Sequence, residues 1–155
     1  MNLIVVLAAK YLYLIVVVAA LVVFLLAPKV KKKLWVKIGL IALPLALVLS
    51  LLASYFINDP RPFVVEKVAP LIPHTADNGF PSDHTLLAAA LAAIIFVYNR
   101  KWGIVLGTGA LLVGLARVAA KVHHLTDIVG SVVIAALATY VAWWFTKKYL
   151  SKFLP

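Results

Sequence analysis

In a strongly apolar chain, residues 116–127 read ARVAAKVHHLTD and crowd Arg117, Lys121, His123, His124 and Asp127 into a few turns. Charge near hydrocarbon is expensive, so such a cluster first suggests a functional site. His123 and Asp127 are spaced i, i+4, which on a helix puts them on one face. A carboxylate beside an imidazole fixes its tautomer and stabilises the cation formed when the ring is charged or phosphorylated. Two more polar stretches interrupt the apolar runs: NDPRPF at 58–63 and NGFPSDH at 78–84. Together the three supply Arg61, Arg117, Ser82, Asp83, His84 and His123. This is a set for an anion. A guanidinium fork matches phosphate oxygens two at a time. A helix starting near His84 would aim its free N–H groups and positive dipole end at the same place. Pro81 is a helix-start signal, and Ser82 or Asp83 can cap. His84, His123 and Asp127 have the ligand types for zinc, but two arginines nearby would repel a divalent cation. No metal and no cofactor is expected.

The elements that must position these groups follow from hydropathy. Of 155 residues, 65% are hydrophobic and 13% charged, with a mean hydropathy of +1.08. That is far outside the range of soluble domains and too short for two substantial ones. A helical span needs about 20 residues, and five runs qualify or nearly so: 3–27, 34–57, 84–98, 102–118 and 124–146. The expected architecture is an all-α polytopic membrane bundle forming a single domain over residues 1–155. Pro44 should kink the second span. The third and fourth are short, which makes sense if their outer ends stop below the membrane surface around a polar pocket. The first run has no basic leader and ends in LLAPKVKKK, so it reads as an anchor rather than a cleaved signal. Without cysteine there is no disulfide frame and no thiolate chemistry.

The net charge of +10 would suggest nucleic acid in a soluble protein. Its distribution argues otherwise. Lys29, Lys31, Lys32, Lys33 and Lys37 flank spans one and two, Arg100 and Lys101 spans three and four, and Lys147, Lys148 and Lys152 span five. With five crossings these fall on one side, which the positive-inside rule makes cytoplasmic, where they anchor to anionic lipid. The N-terminus, the loop 58–83, segment 119–124, all five acids and all four histidines fall on the other side. Lys10 is the exception, and snorkelling explains it. A plasma-membrane protein with an extracytoplasmic site is expected. A single intramembrane histidine would be read as a packing residue; four on one side favour catalysis. His124 points away from the face of His123 by about 100° and is read as structural. His74 and Asp77 are read first as loop or rim residues and second as contacts to a substrate headgroup, and Lys121 stands evenly between a surface charge and a diphosphate contact. Arg117 falls off the face of His123 unless one span ends near 117 and the next begins near 123.

The order R-P, P-S-x-H, R-x5-H-x3-D resembles the type 2 phosphatidic acid phosphatase superfamily, which includes membrane lipid phosphatases. Its pattern K-x6-R-P, P-S-G-H, S-R-x5-H-x3-D reads here as S-x6-R-P (Ser54 to Pro62), P-S-D-H (Pro81 to His84) and A-R-x5-H-x3-D (Ala116 to Asp127). Three ordered motifs with fixed spacing are far more specific than one. The stretch RPFV…LIPHTADNGFPSDHT is also similar to bacterial undecaprenyl-diphosphate phosphatases of the bacitracin-resistance type. The resemblance implies that His123 attacks phosphorus while Asp127 orients it, and that His84 is the acid and then the base. Arg61, Arg117, Ser82 and main-chain N–H groups near Asp83 would hold the phosphoryl oxygens, without a metal. It implies a lipid-linked phosphate as substrate, undecaprenyl diphosphate first. The alternatives are a phosphatidate, phosphatidylglycerophosphate or lipid A phosphatase, or a lipid-phosphate binding or transport protein without chemistry. Three residues depart from the pattern. Ser54 replaces a lysine, a loss that Lys67 or Lys121 could offset. Asp83 replaces glycine and could repel the substrate or pair with an arginine, and Ala116 replaces serine.

Overall fold

The computed structural model describes residues 2–149; Lys152 lies outside them. Six helices follow one another: α1 Asn2–Leu26, α2 Lys29–Phe56, α3 Pro62–Val65, α4 Asp83–Phe96, α5 Arg100–Ala119 and α6 Leu125–Tyr149. Four of them, α1, α2, α5 and α6, are long and apolar enough to cross a bilayer. α4 has 14 residues, about 21 Å at the α-helical rise, short of the roughly 30 Å hydrocarbon core. These are the five runs expected from hydropathy, except that α5, expected to be short like α4, runs 20 residues and is long enough to span, with α3 an added single turn on the loop. α3 starts where Pro62 can occupy the first helical position, its fixed φ and missing N–H costing nothing there. α2 begins five residues before its apolar run because lysines are good helix formers: hydropathy marks the bilayer, not the hydrogen bonding.

α4 is the central post, packed against α1, α2, α5 and α6. Its sequence explains this. Ala88, Ala89, Ala90 and Ala92 are all buried, and small side chains let neighbouring backbones come close where no hydrophobic drive between helices exists. Glycines in α5 and α6 serve the same end. A Cβ on Gly103 would collide with the backbone of Phe96, one on Gly114 with Ile128, and one on Gly130 with the Phe80 ring. The outer faces carry exposed Leu, Val and Ile, such as Leu40, Leu51, Ile104 and Val129. That is the surface of a protein solvated by lipid. The chain is a multi-pass membrane protein.

The basic flanks gather at one end of the bundle. Leu26 at the end of α1 and Lys31 at the start of α2 line a cavity with Asn99 and Trp102, while Arg100 lines another with Trp143 of α6. The polar stretches gather at the opposite end, below the tip of α1. Arg117 near the end of α5 donates to the Ala9 carbonyl at 3.3 Å, and the His84 ring meets Tyr13 edge-on at 4.3 Å. Both α1 residues lie two to three turns into the helix, so the site is recessed. Ala9, Ile72, Ala120 and Val122 form a small apolar cluster of their own under the loop.

Candidate active site

The turn between α5 and α6 sets the histidines. Lys121 adopts a left-handed φ of 63°, and main-chain bonds from Ala120 to Ala116 and from Val122 to Arg117 close the end of α5. α6 then starts at Leu125, with His124 just before it. Asp127 sits in the first turn, where a carboxylate suits the helix dipole. Its Oδ2 accepts from the His124 backbone N–H at 2.9 Å, the reach-back half of a capping box. The same oxygen lies 3.1 Å from His123 Nδ1. One buried carboxylate therefore starts the helix and orients the imidazole. With the Nδ1 proton held by Asp127, Nε2 carries the ring's lone pair.

Arg61 stands at that lone pair. Its Nη1 is 3.3 Å from His123 Nε2 and donates to the Val122 carbonyl at 2.8 Å. Its Nε pairs with Asp77 Oδ1 at 2.6 Å, and Nη2 donates to the Asn78 carbonyl at 3.4 Å. Four partners hold one guanidinium, 6% exposed, against the ring. Arg117, also buried, has Nη2 2.8 Å from His74 Nε2. His84, in the first turn of α4, is within electrostatic reach of Arg117, His123 and His74. His74 and His123 themselves have ring centres 6.1 Å apart.

Ser82 precedes α4 and is fully buried. It makes no side-chain cap; its Oγ instead meets Thr85 Oγ1 at 3.1 Å. Its backbone N–H donates to Ser131 Oγ at 2.9 Å, so the loop is pinned to α6 one turn below Asp127. Gly79 lets the loop pass close: a Cβ there would come 3.0 Å from Asp127 Oδ2 and 3.1 Å from the Asp59 carbonyl. Asp83 is exposed and pairs with no arginine among the described residues; its place is the first turn of α4. The side chain of Lys121 pairs with Glu66 at 2.9 Å on the surface, and Lys67 is exposed with a φ of 54°. Ser54 holds the loop: Asn78 Nδ2 donates to its carbonyl at 2.9 Å and reaches its hydroxyl at 3.2 Å. Ala116 packs on the small apolar cluster.

Sequence reasoning passed over Asn78, Ser131 and Tyr13 and placed His74 at the rim. Asn78 also accepts from the N–H groups of Asp59 and Phe80, which makes it the clasp between the first two polar stretches. The Asn-Gly pair at 78–79 and a serine four residues after Asp127 were the available signals. Of the groups singled out, Arg61, Arg117, His84, His123 and Asp127 come together; Lys67 and Lys121 do not join them. His124 bonds the Pro60 carbonyl at 3.1 Å and lies 3.6 Å from Asp59, a structural tie.

Burial pushes the His123 imidazole below its ordinary range; the Asp127 hydrogen bond opposes this, and the two arginines add to it. Burial would raise the Asp77 carboxyl, but the hydrogen bonds from Arg61 and Thr75 prevail and hold it below the usual range.

Fold and site define a helical membrane protein with a recessed polar cluster in which an oriented imidazole faces one guanidinium group and a second lies nearby on His74. The sequence profile of the PAP2 superfamily matches residues 11–150, and the chain belongs to that superfamily. It is 39% identical over 100 residues to undecaprenyl-diphosphatase BcrC of Bacillus subtilis, covering 64% of this chain and 52% of that one. It is 31% identical to the bacitracin transport permease protein BcrC of Bacillus licheniformis, covering 83% of this chain and 64% of that one. The chain thus spans about half to two thirds of the length of these relatives. Among solved structures, LpxE of Aquifex aeolicus superposes with a TM-score of 0.74 at 25% identity, over 92% of this chain and 86% of that one. A PAP2-type phosphatidylglycerolphosphate phosphatase from Bacillus subtilis superposes with a TM-score of 0.58 at 21% identity, over 96% of this chain and 85% of that one, and shares the fold.

Proposed function

We propose that this protein is a metal-independent lipid phosphatase that converts undecaprenyl diphosphate to undecaprenyl phosphate and inorganic phosphate at the extracytoplasmic face. The observation that carries the reading is His123, its Nδ1 on Asp127 and its Nε2 lone pair facing Arg61. Nε2 attacks the terminal phosphorus; the N–P bond forms as the bond to the bridging oxygen breaks, and His84 protonates the departing monophosphate. Arg61 and Arg117 neutralise the charge on the phosphoryl oxygens. Asp127 balances the positive charge of the phosphorylated ring. His84 then takes a proton from water, which attacks phosphorus and releases phosphate from His123. A site set below the tip of α1 suits a headgroup presented from the leaflet while its tail stays in lipid. The relative named undecaprenyl-diphosphatase supports the choice of substrate.

A second reading, a lipid-phosphate binder or transporter, draws on Ser54, which clasps Asn78 instead of supplying a cation, and on the relative named a transport permease. Purified protein offered polyprenyl diphosphate, phosphatidate and phosphatidylglycerophosphate in detergent separates them. Release of phosphate, fastest from the diphosphate, is expected. Binding without release would establish the second reading.

Three further outcomes are expected. Arg61→Lys should lower turnover by about 10²–10³, the scale of a lost oxyanion donor, because one ammonium cannot serve the four directions the guanidinium serves. The depressed His123 keeps its lone pair below the ordinary histidine range, so activity should persist as pH falls past 6.5 and drop only at lower pH; a pH profile of kcat/KM checks this. In this cysteine-free chain, Lys67→Cys should react with an impermeant reagent on intact cells while Lys101→Cys should not. The reverse pattern would place the site in the cytosol.

A further inference from the structure

We infer that His74 is a third anion-binding group of this site, donating its Nδ1–H to a phosphoryl oxygen of the substrate; the inference rests on the lipid-phosphate reading above. His74 lies on the loop between α3 and α4, with Nε2 2.8 Å from Arg117 Nη2. A guanidinium has only donors, so Nε2 must be the acceptor and the ring proton sits on Nδ1. That nitrogen is closed off from solvent and has no hydrogen-bond partner. Buried donors are almost always satisfied, and an exception calls for an explanation. The ring stands nearly perpendicular to His123, its centre 6.1 Å away, and it touches Arg117, so His74 borders the place where those two groups would hold a phosphoryl group. A phosphoryl group brings such oxygens. Burial and the charges of Arg61 and Arg117 favour the neutral ring, consistent with this tautomer. Asp77, on the same loop, offers only acceptors and is exposed; it positions Arg61 and binds no phosphate itself.

Two substitutions separate substrate contact from support of Arg117. His74→Gln places an acceptor near the position of Nε2 and removes the Nδ1 donor. His74→Asn keeps a donor near Nδ1 and gives up Arg117. Binding of inorganic phosphate to the purified full chain in detergent is the readout. His74→Gln should weaken it about tenfold or more, the scale of a charge-assisted hydrogen bond, while His74→Asn retains most of it. Wild-type binding by His74→Gln, equal loss in both variants, or no phosphate binding by the wild type would overturn the inference. Nitrogen-15 spectra of the unmodified protein give a test without substitution. The His74 Nδ1 should be the protonated nitrogen and should shift when phosphate is added; a protonated Nε2 or an unmoved Nδ1 would also overturn it. Phosphate release from polyprenyl diphosphate, run on the same samples, tests the phosphatase reading separately. Phosphate binding through His74 without turnover would keep this inference and sink that one.

Discussion

His123→Ala should abolish phosphate release, with a loss of turnover on the order of 10⁶, as when the nucleophile is removed from a covalent hydrolase. The size of the effect follows from what the ring does. Its Nε2 is the one oriented lone pair facing Arg61, and with it gone the arginines can hold a phosphate but nothing attacks it. His123 is 3% exposed, so alanine also leaves a cavity. His123→Asn is the control for that, because its amide can still donate to Asp127 while offering no nucleophile. Both variants should be inactive yet bind lipid phosphate in detergent. More than about a tenth of wild-type turnover in either would remove the ring from the reaction.

Asp127→Asn should lower kcat by about 10⁴, the scale seen when the carboxylate behind a catalytic imidazole becomes an amide. Oδ2 serves two donors, His123 Nδ1 and the His124 N–H, while Oδ1 is buried without a partner. An asparagine with its oxygen toward the two donors keeps both bonds, so α6 should still begin where it does and thermal unfolding in detergent should hardly move. What is lost is the charge that balances the phosphorylated imidazole, and with it the fixed tautomer, since an amide turned to donate to Nδ1 leaves the proton on Nε2, where no lone pair can attack. Asp127→Ala should add the loss of the helix start, roughly 1 kcal/mol of stability. If the asparagine variant turned over within tenfold of wild type, the carboxylate would be structural only.

Much of the bundle is legible because lipid imposes one rule, apolar length, on every crossing. α1, α2, α5 and α6 follow from it, and the short α4 follows from the need to end beneath a polar pocket. The start of α2 was not legible, since Lys29–Lys33 are polar yet helical, nor was the single turn at Pro62. In the site, the pair His123 and Asp127 was legible from spacing, but His123 lies in the turn before α6, and Asp127 meets it by reaching back across the helix start rather than along a shared helix face. The contacts Asn78–Ser54, Ser82–Ser131 and Tyr13–His84 were not. They join elements tens of residues apart, and no periodicity encodes which serine or aromatic of a distant helix will face a loop. Lys121 shows the converse: its place beside the histidines in sequence left a surface charge and a diphosphate contact equally open, and a left-handed backbone turns it to Glu66 on the surface.

The central claim is a covalent bond between phosphorus and the imidazole of residue 123, and rapid-quench trapping tests it most directly. Protein mixed with polyprenyl diphosphate labelled on its terminal phosphate and quenched within a turnover should carry label that is stable to alkali, lost in acid and confined to the peptide containing His123. Turnover with no protein-bound label at any quench time, or label on His84 or another residue, would contradict the account.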